Sequence, residues 1–207
     1  DVAVLVGDAA LTEGRPRLVE VVPAPGRTRA DVLARAAALS PAADPAVARA
    51  LRSAAETEGV AVRPADALSA EPGGSVAGTV GGSPMTFGGP EVMRRRGVVA
   101  ATAAGRMTAL EEAGHRVLVL ARDGAFEGLV ALADPPRADA SDAVEALQAV
   151  GLEMVIAAGD ATTRARAARL GLRDVRPAEG PADAARIVGA LAREGRRVVL
   201  ATRGRVE

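Results

Sequence analysis

The chain has no Cys, Trp or Tyr, and Phe occurs only twice in 207 residues. Without Cys there are no disulfides and no thiolate metal sites, and cysteine usage says nothing about redox compartment. With aromatics at 1%, any core must be built from Ala, Val and Leu. No apolar run reaches the roughly 18 residues that would mark a bilayer-spanning helix, and no signal peptide is recognisable. The first residue is Asp1 rather than Met, which suggests a piece of a longer chain, so the missing membrane helices say nothing of a parent. Net charge is absent too, with 26 basic residues against 26 acidic. That balance argues against a nucleic-acid binder working by bulk electrostatics. Lys and Asn do not occur, so every cation apart from His115 is Arg. Together with abundant Ala, Gly and Pro, this fits a GC-rich bacterial genome.

What is present alternates. Val2–Val6 is a short apolar run with the pattern of a buried strand, and residues 17–22 read as a second. Pro23, Pro25 and Gly26 break that strand. Thr28 and Asp31 form a capping box ahead of a helix whose apolar face is Val32, Leu33, Ala36 and Leu39. Asp44-Pro45 opens another helix, which stops near Gly59. In residues 72–89, glycines punctuate Val76, Val80, Met85 and Phe87, the pattern of an antiparallel hairpin turning at Gly81-Gly82. One further helix is expected up to about Gly114, then strands 117–121 and 128–131 around Asp123-Gly124.

From Asp134 the pattern becomes β-α-β-α, with strands at 154–158 and 198–201 and helices ended by Gly151, Gly171 and Gly195. Such alternation implies a parallel sheet covered by helices. Val2–Val6 joins that sheet only if residues 15–131 are an insertion. The fold class expected is therefore α/β, a parallel sheet interrupted by an α+β domain.

Several segments resemble motifs of heavy-metal-transporting P-type ATPases. Leu11-Thr12-Glu13-Gly14 matches the end of DKTGTLTEG, the phosphorylation motif. Asp44-Pro45 stands at SEHP, residues 72–78 at PGxGVxG and Gly88-Gly89 at GN. Ala133-Asp134-Pro135-Pro136-Arg137 resembles ADPxK/R. Residues 158–161 match TGDN, 181–184 match PxDK, and 202–207 fall on GDGVND. These landmarks follow family order at family spacing along essentially the whole chain.

The resemblance implies a haloacid-dehalogenase-like phosphorylation domain, residues 1–14 and 132–207, carrying an inserted nucleotide-binding-type domain, residues 15–131. It implies nucleotide contacts at Asp44, Gly73, Ser75, Gly88 and Gly89, with ATP or ADP as the ligand. It implies a hinge at Asp134 and Arg137. It also implies a place on the cytoplasmic face of a membrane, with the membrane-spanning and actuator parts of the same parent chain, or an active paralogous ATPase, as partners.

The chemistry of the family is poorly supplied. Phosphoryl transfer to a carboxylate needs an ionised nucleophile, cations on the transferring oxygens and a held metal. In the register set by residues 11–14 the nucleophile position is Val6, which has no lone pair. The motif lysine is Gly7 and the next Thr is Asp8. The Thr and Asn of TGDN are Ala158 and Ala161, the PxDK lysine is Ala184, and the magnesium-binding Asp of GDGVND is Arg203. The adenine-contacting His is Asp44, the second Gly of GxG is Ser75, and the Asn of GN is Gly89.

A lysine-poor genome would put Arg at essential lysines, whereas Gly7 and Ala184 carry no charge. Loss of the aspartyl-phosphate and of the Mg²⁺ site is the expectation, with Asp8 and Asp160 as residual acidic candidates. Arg203 beside either would make a metal-free, self-neutralised pocket. Three readings follow: a structural or regulatory pseudo-ATPase domain, a non-hydrolysing ATP/ADP sensor, or an active pump core with Asp8 as nucleophile. The glycines of 73–89 also fit hairpin geometry alone, Asp44 a helix cap alone, and Asp160 a cap of the following helix. Arg94–Arg96 reads as a solvated helix face, and His115, lacking a second His or any Cys, as no metal ligand.

Overall fold

A computed structural model describes residues 1–7, 10–159, 161–178 and 181–201. In chain order the elements are β1 (Val2–Val6), β2 (Arg17–Pro23), α1 (Arg29–Leu39), α2 (Pro45–Thr57), β3 (Asp66–Glu71), β4 (Ser75–Val80), β5 (Ser83–Gly88) and α3 (Pro90–Arg95). Then come α4 (Ala104–Glu112), β6 (Arg116–Arg122), β7 (Ala125–Ala133), α5 (Ala140–Ala149), β8 (Glu153–Ala157), α6 (Ala161–Arg169), β9 (Asp174–Arg176), α7 (Pro181–Arg193) and β10 (Val198–Ala201). They fall into two compact units. One comprises residues 1–14, 112–114 and 135–207, and the other residues 15–111 and 115–134.

The first unit holds a parallel sheet in the order β10-β1-β8-β9. β1 pairs with β8 on one side and with β10 on the other, across more than a hundred residues of sequence. Its alternate residues serve two apolar layers. Leu5 packs with Val144 of α5, Met154, Ile156 and Ala167 of α6. Val2 and Val4 pack with Val155, Ala157, and Ala184 and Leu191 of α7. Helices thus cover both faces, which is why strands this short read as continuous Val/Ala/Leu runs.

The second unit is a six-stranded antiparallel sheet in the order β2-β7-β6-β5-β4-β3. One face packs on α1 and α2 through Val32, Leu33, Leu39, Val47, Leu51, Phe87, Leu118, Leu120 and Leu132. The other carries Met93 of α3, Leu110 of α4, Val117, Val119 and Leu129. The α1 capping box forms as expected, the Thr28 hydroxyl accepting from the Asp31 amide at 3.1 Å.

Three details differ from expectation. The single helix expected up to Gly114 is two, α3 and α4, because Gly97 takes φ +78 and ends the first. β3 is an additional edge strand, exposed along nearly all its length. β9 is an additional strand of three residues.

Candidate functional site

In the parallel unit the phosphorylation-motif positions lie at the end of β1. Val6 is half-buried and packs against the apolar layer that contains Ala184. Gly7 follows at φ +68, its amide donating to the Ala157 carbonyl at 2.9 Å. Ala184 is 3% exposed. Val6 and Ala184, which the resemblance assigns to the nucleophile and to one lysine, therefore belong to a single hydrocarbon cluster. Ala158 ends the β8 segment, buried on the opposite layer with Leu5 and Ile156. Asp8, Asp160 and Arg203 lie outside the described residues, as does any pairing among them. Among the described residues no group of three His, Asp or Glu side chains could hold a metal ion.

The segments 11–13 and 135–137 come together. Thr12, buried, bridges to Pro136; the Glu13 amide donates to the Pro135 carbonyl at 3.0 Å, and the Arg137 amide to the Leu11 carbonyl at 2.9 Å. The Arg137 side chain forms a two-bond pair with Asp139, both contacts 2.8 Å. Hydrogen bonding from that guanidinium holds the Asp139 carboxyl below its ordinary value. Asp134 accepts from the Arg15 amide at 3.0 Å.

In the antiparallel unit the structure brings Ser75, Gly88 and Gly89 together. β4 and β5 pair Val76 with Phe87, which sets Ser75 beside Gly88. Ser75 is 1% exposed. A Cβ built on Gly88 would stand 2.8 Å from the Ser75 Cβ and 3.7 Å from the Met93 sulfur. Among the described residues the Ser75 hydroxyl has no hydrogen-bond partner. An orphaned buried hydroxyl costs about 1–3 kcal/mol.

Gly89 sets the start of α3 with extended backbone, and among the described residues nothing beyond its own chain neighbours lies within 4 Å of the place its Cβ would take. Gly73, at φ +82, approaches Val92 of α3, 3.0 Å from its would-be Cβ. An Arg96–Glu71 ion pair ties the same loop to the end of α3.

Asp44 is committed elsewhere. It caps α2, accepting from the Ala46 amide at 2.8 Å, and it pairs with Arg116 at 3.0 Å. Burial pushes its carboxyl up, but the Ala46 amide and the Arg116 guanidinium outweigh this and hold it below the usual value. Arg116 lies three residues from Val119, the partner of Gly88, roughly 10 Å along the strand.

Sequence reasoning missed Glu127. It is a buried carboxylate in β7 held by Arg27 at 2.8 Å, Arg122 at 2.9 Å and Arg35 at 3.1 Å. The available signal was a Glu-Gly pair inside an apolar strand, which marks a bulge.

A parallel sheet with helices on both faces, interrupted by an antiparallel α+β unit, is the architecture of the P-type ATPase cytoplasmic domains. It superposes on the catalytic domain of a CPx-ATPase with a TM-score of 0.73 over 97% of this chain and 69% of that one, at 19% identity. It also superposes on a zinc-transporting PIB-type ATPase in the E2.Pi state with a TM-score of 0.58 at 29% identity, over 98% of this chain and 32% of that one.

By sequence the chain is 33% identical over 177 residues to copper-transporting ATPase 1 of Rhizobium meliloti, and 31% identical over 196 residues to a copper-exporting P-type ATPase of Legionella pneumophila. These alignments take in 84% and 94% of the chain, which spans only 21% and 26% of those two relatives' own length. No family model matches. The chain belongs with the P-type ATPases. Within them its homologues are the heavy-metal transporters, and it corresponds to a cytoplasmic domain region of such a protein.

Proposed function

We propose that this region no longer forms an aspartyl-phosphate and persists as a structural or regulatory pseudo-ATPase domain of a metal-cation-transporting P-type ATPase. Residues 1–14 and 132–207 would be its phosphorylation-type domain and residues 15–131 its nucleotide-binding-type domain. The observation that carries the reading is the shared apolar cluster of Val6 and Ala184. An in-line attack on a phosphoryl group needs a carboxylate and a cation at these two places, and both are instead hydrocarbon packed on hydrocarbon. Neither position offers a nucleophile or a charge to offset the transferring oxygens.

The uncharged replacements Gly7 and Ala184 support loss of function over drift in base composition. In this reading the domain sits on the cytoplasmic face of a membrane. Its partners are the membrane-spanning and actuator parts of its own parent chain, or an active paralogous ATPase. Asp134 and Arg137, on either side of the passage from one unit to the other at 134/135, serve as the hinge.

Incubation of the chain with γ-labelled ATP and Mg²⁺ tests this. No acid-stable, hydroxylamine-sensitive phosphate should be trapped. Label on Asp8 would instead establish an active pump core with a shifted register.

The open backbone of Gly89, beside the close Ser75–Gly88 pair, favours a second reading, a nucleotide sensor that does not hydrolyse. The donors and acceptors there are neutral, which suits the edge of a base better than a triphosphate. Calorimetry with ADP, read beside hydrogen exchange, tests it: no saturable heat, or protection that spares residues 73–76 and 88–89, removes the sensor.

A further inference from the structure

β7 does not pair evenly with β6. Leu120 opposes Gly128 and Ala121 opposes Phe126, so Glu127 is the extra residue of a β-bulge. Its carbonyl accepts from the Ala24 amide at 3.0 Å. Bulges of this kind re-aim one side chain off the strand's alternation. Around its carboxylate, 3% exposed, three guanidiniums arrive from three segments: Arg27 ahead of α1, Arg35 within α1 and Arg122 at the end of β6.

Neutralising one buried carboxylate takes one guanidinium in a two-bond fork. Here three converge on one carboxylate, Arg27 at 2.8 Å, Arg122 at 2.9 Å and Arg35 at 3.1 Å. Among the described residues the Arg27 and Arg122 guanidiniums make no other ion pair or hydrogen bond, and that of Arg35 has only a longer contact to Asp31, at 3.7 Å. Their side chains are 34%, 28% and 22% exposed respectively. The cluster thus keeps excess positive charge and unspent N–H donors on its solvent side, while its inner side is fixed by Glu127. Arg27 and Arg122 share one carboxylate oxygen, so their bonded nitrogens lie within about 6 Å of one another, a span a tetrahedral oxyanion bridges.

We propose that Arg27, Arg35 and Arg122, organised by Glu127, form a binding site for a small phosphate-bearing ligand. It is distinct from the glycine loop. Arg122 opposes Met85 and Val119 opposes Gly88, which separates the two by roughly 10 Å along the strand. Planar guanidiniums held by a buried acid are pre-oriented, so little side-chain freedom is left to lose on binding.

The test titrates the 207-residue chain with pyrophosphate, and with ADP in parallel, by calorimetry and by hydrogen exchange. Saturable binding of pyrophosphate is expected, weakening with salt, with exchange protection confined to residues 24–35 and 121–128. Equal affinity for ADP identifies the phosphate group as the whole determinant; tighter ADP binding adds a nucleoside contact. Arg27→Ala with Arg122→Ala should weaken binding by about tenfold or more. The control pair Arg52→Ala with Arg63→Ala, which removes the same charge from exposed positions, should leave it unchanged. If the first pair does not fold, the exchange map of the unaltered chain decides. No saturable binding, protection at other segments, or equal weakening in both pairs overturns the site.

Discussion

Ser75 and Gly88 stand side by side on β4 and β5, so close that a methyl group on Gly88 would lie 2.8 Å from the Cβ of Ser75. In the family pattern the Ser75 position is itself a glycine. Here its side chain occupies the room that the absent side chain of Gly88 leaves, under Met93. Gly88→Ala should therefore destabilise the antiparallel unit by about 1–3 kcal/mol, an overpacking cost. Ser75→Gly in the same chain should recover most of it, giving a coupling that the two single variants do not predict. The readout is urea unfolding by circular dichroism, since the chain has neither Trp nor Tyr.

Ala184→Lys reads the polarity of the position where the family motif carries a lysine. If the Val2, Val4, Ala157 and Leu191 layer is as apolar as its burial shows, the new ammonium has no partner and costs about 3 kcal/mol near neutral pH. Burial lowers the folded pKa of such a lysine below its unfolded value of about 10.4. The penalty should then be full below the folded pKa and disappear as pH rises past the unfolded one. A variant as stable as the parent at pH 7 would mean that a polar pocket survives there.

Glu127→Ala leaves three guanidiniums facing one another without their counter-ion. The expected loss is about 3 kcal/mol or more, in the range found when one member of a buried pair is removed. Glu127→Gln keeps the shape and part of the hydrogen bonding and should cost less. Thermal unfolding of both variants by circular dichroism tests the order.

Asp44→Ala removes a helix cap and should cost about 1 kcal/mol. Asp44→Asn keeps a capping oxygen and loses only the charge facing Arg116, an exposed pair worth about 0–1 kcal/mol. The Asp44 carboxyl is held below its ordinary value. The stabilisation from its charge is therefore complete above the unfolded pKa of about 3.9 and fades as pH falls through the lower folded value. The difference between wild type and Asp44→Asn should vanish over that same acidic window.

The parallel sheet covered by helices was legible because β1, β10 and residues 154–158 are unbroken apolar runs and Gly151, Gly171 and Gly195 end the helices. The α1 and α2 starts were legible because Thr28-Asp31 and Asp44-Pro45 are complete local signals. β3 was not: Asp66–Glu71 has polar residues at both ends and faces solvent almost throughout. Pairing with β4 makes it a strand, and a register shift between Asp66 and Ser69 accompanies φ +50 at Ala67. The candidate site was legible as a set of positions and not as contacts. That Val6 and Ala184 share one layer depends on how α7 lies on β1 and β8. That Ser75 fills the space beside Gly88 depends on cross-strand register. Glu127 was not legible as a site residue, because its three partners meet only through the bulge.

The hydrogen bond from the Arg15 amide to Asp134 joins the first and last residues of the antiparallel unit. A segment whose two ends meet can be cut out and closed on itself. Joining 134 to 15 through a short glycine linker and opening the chain at the Gly81-Gly82 turn should give a circular permutant with the same sheet order. The same closeness lets such a unit be lifted from one host chain into another without straining either.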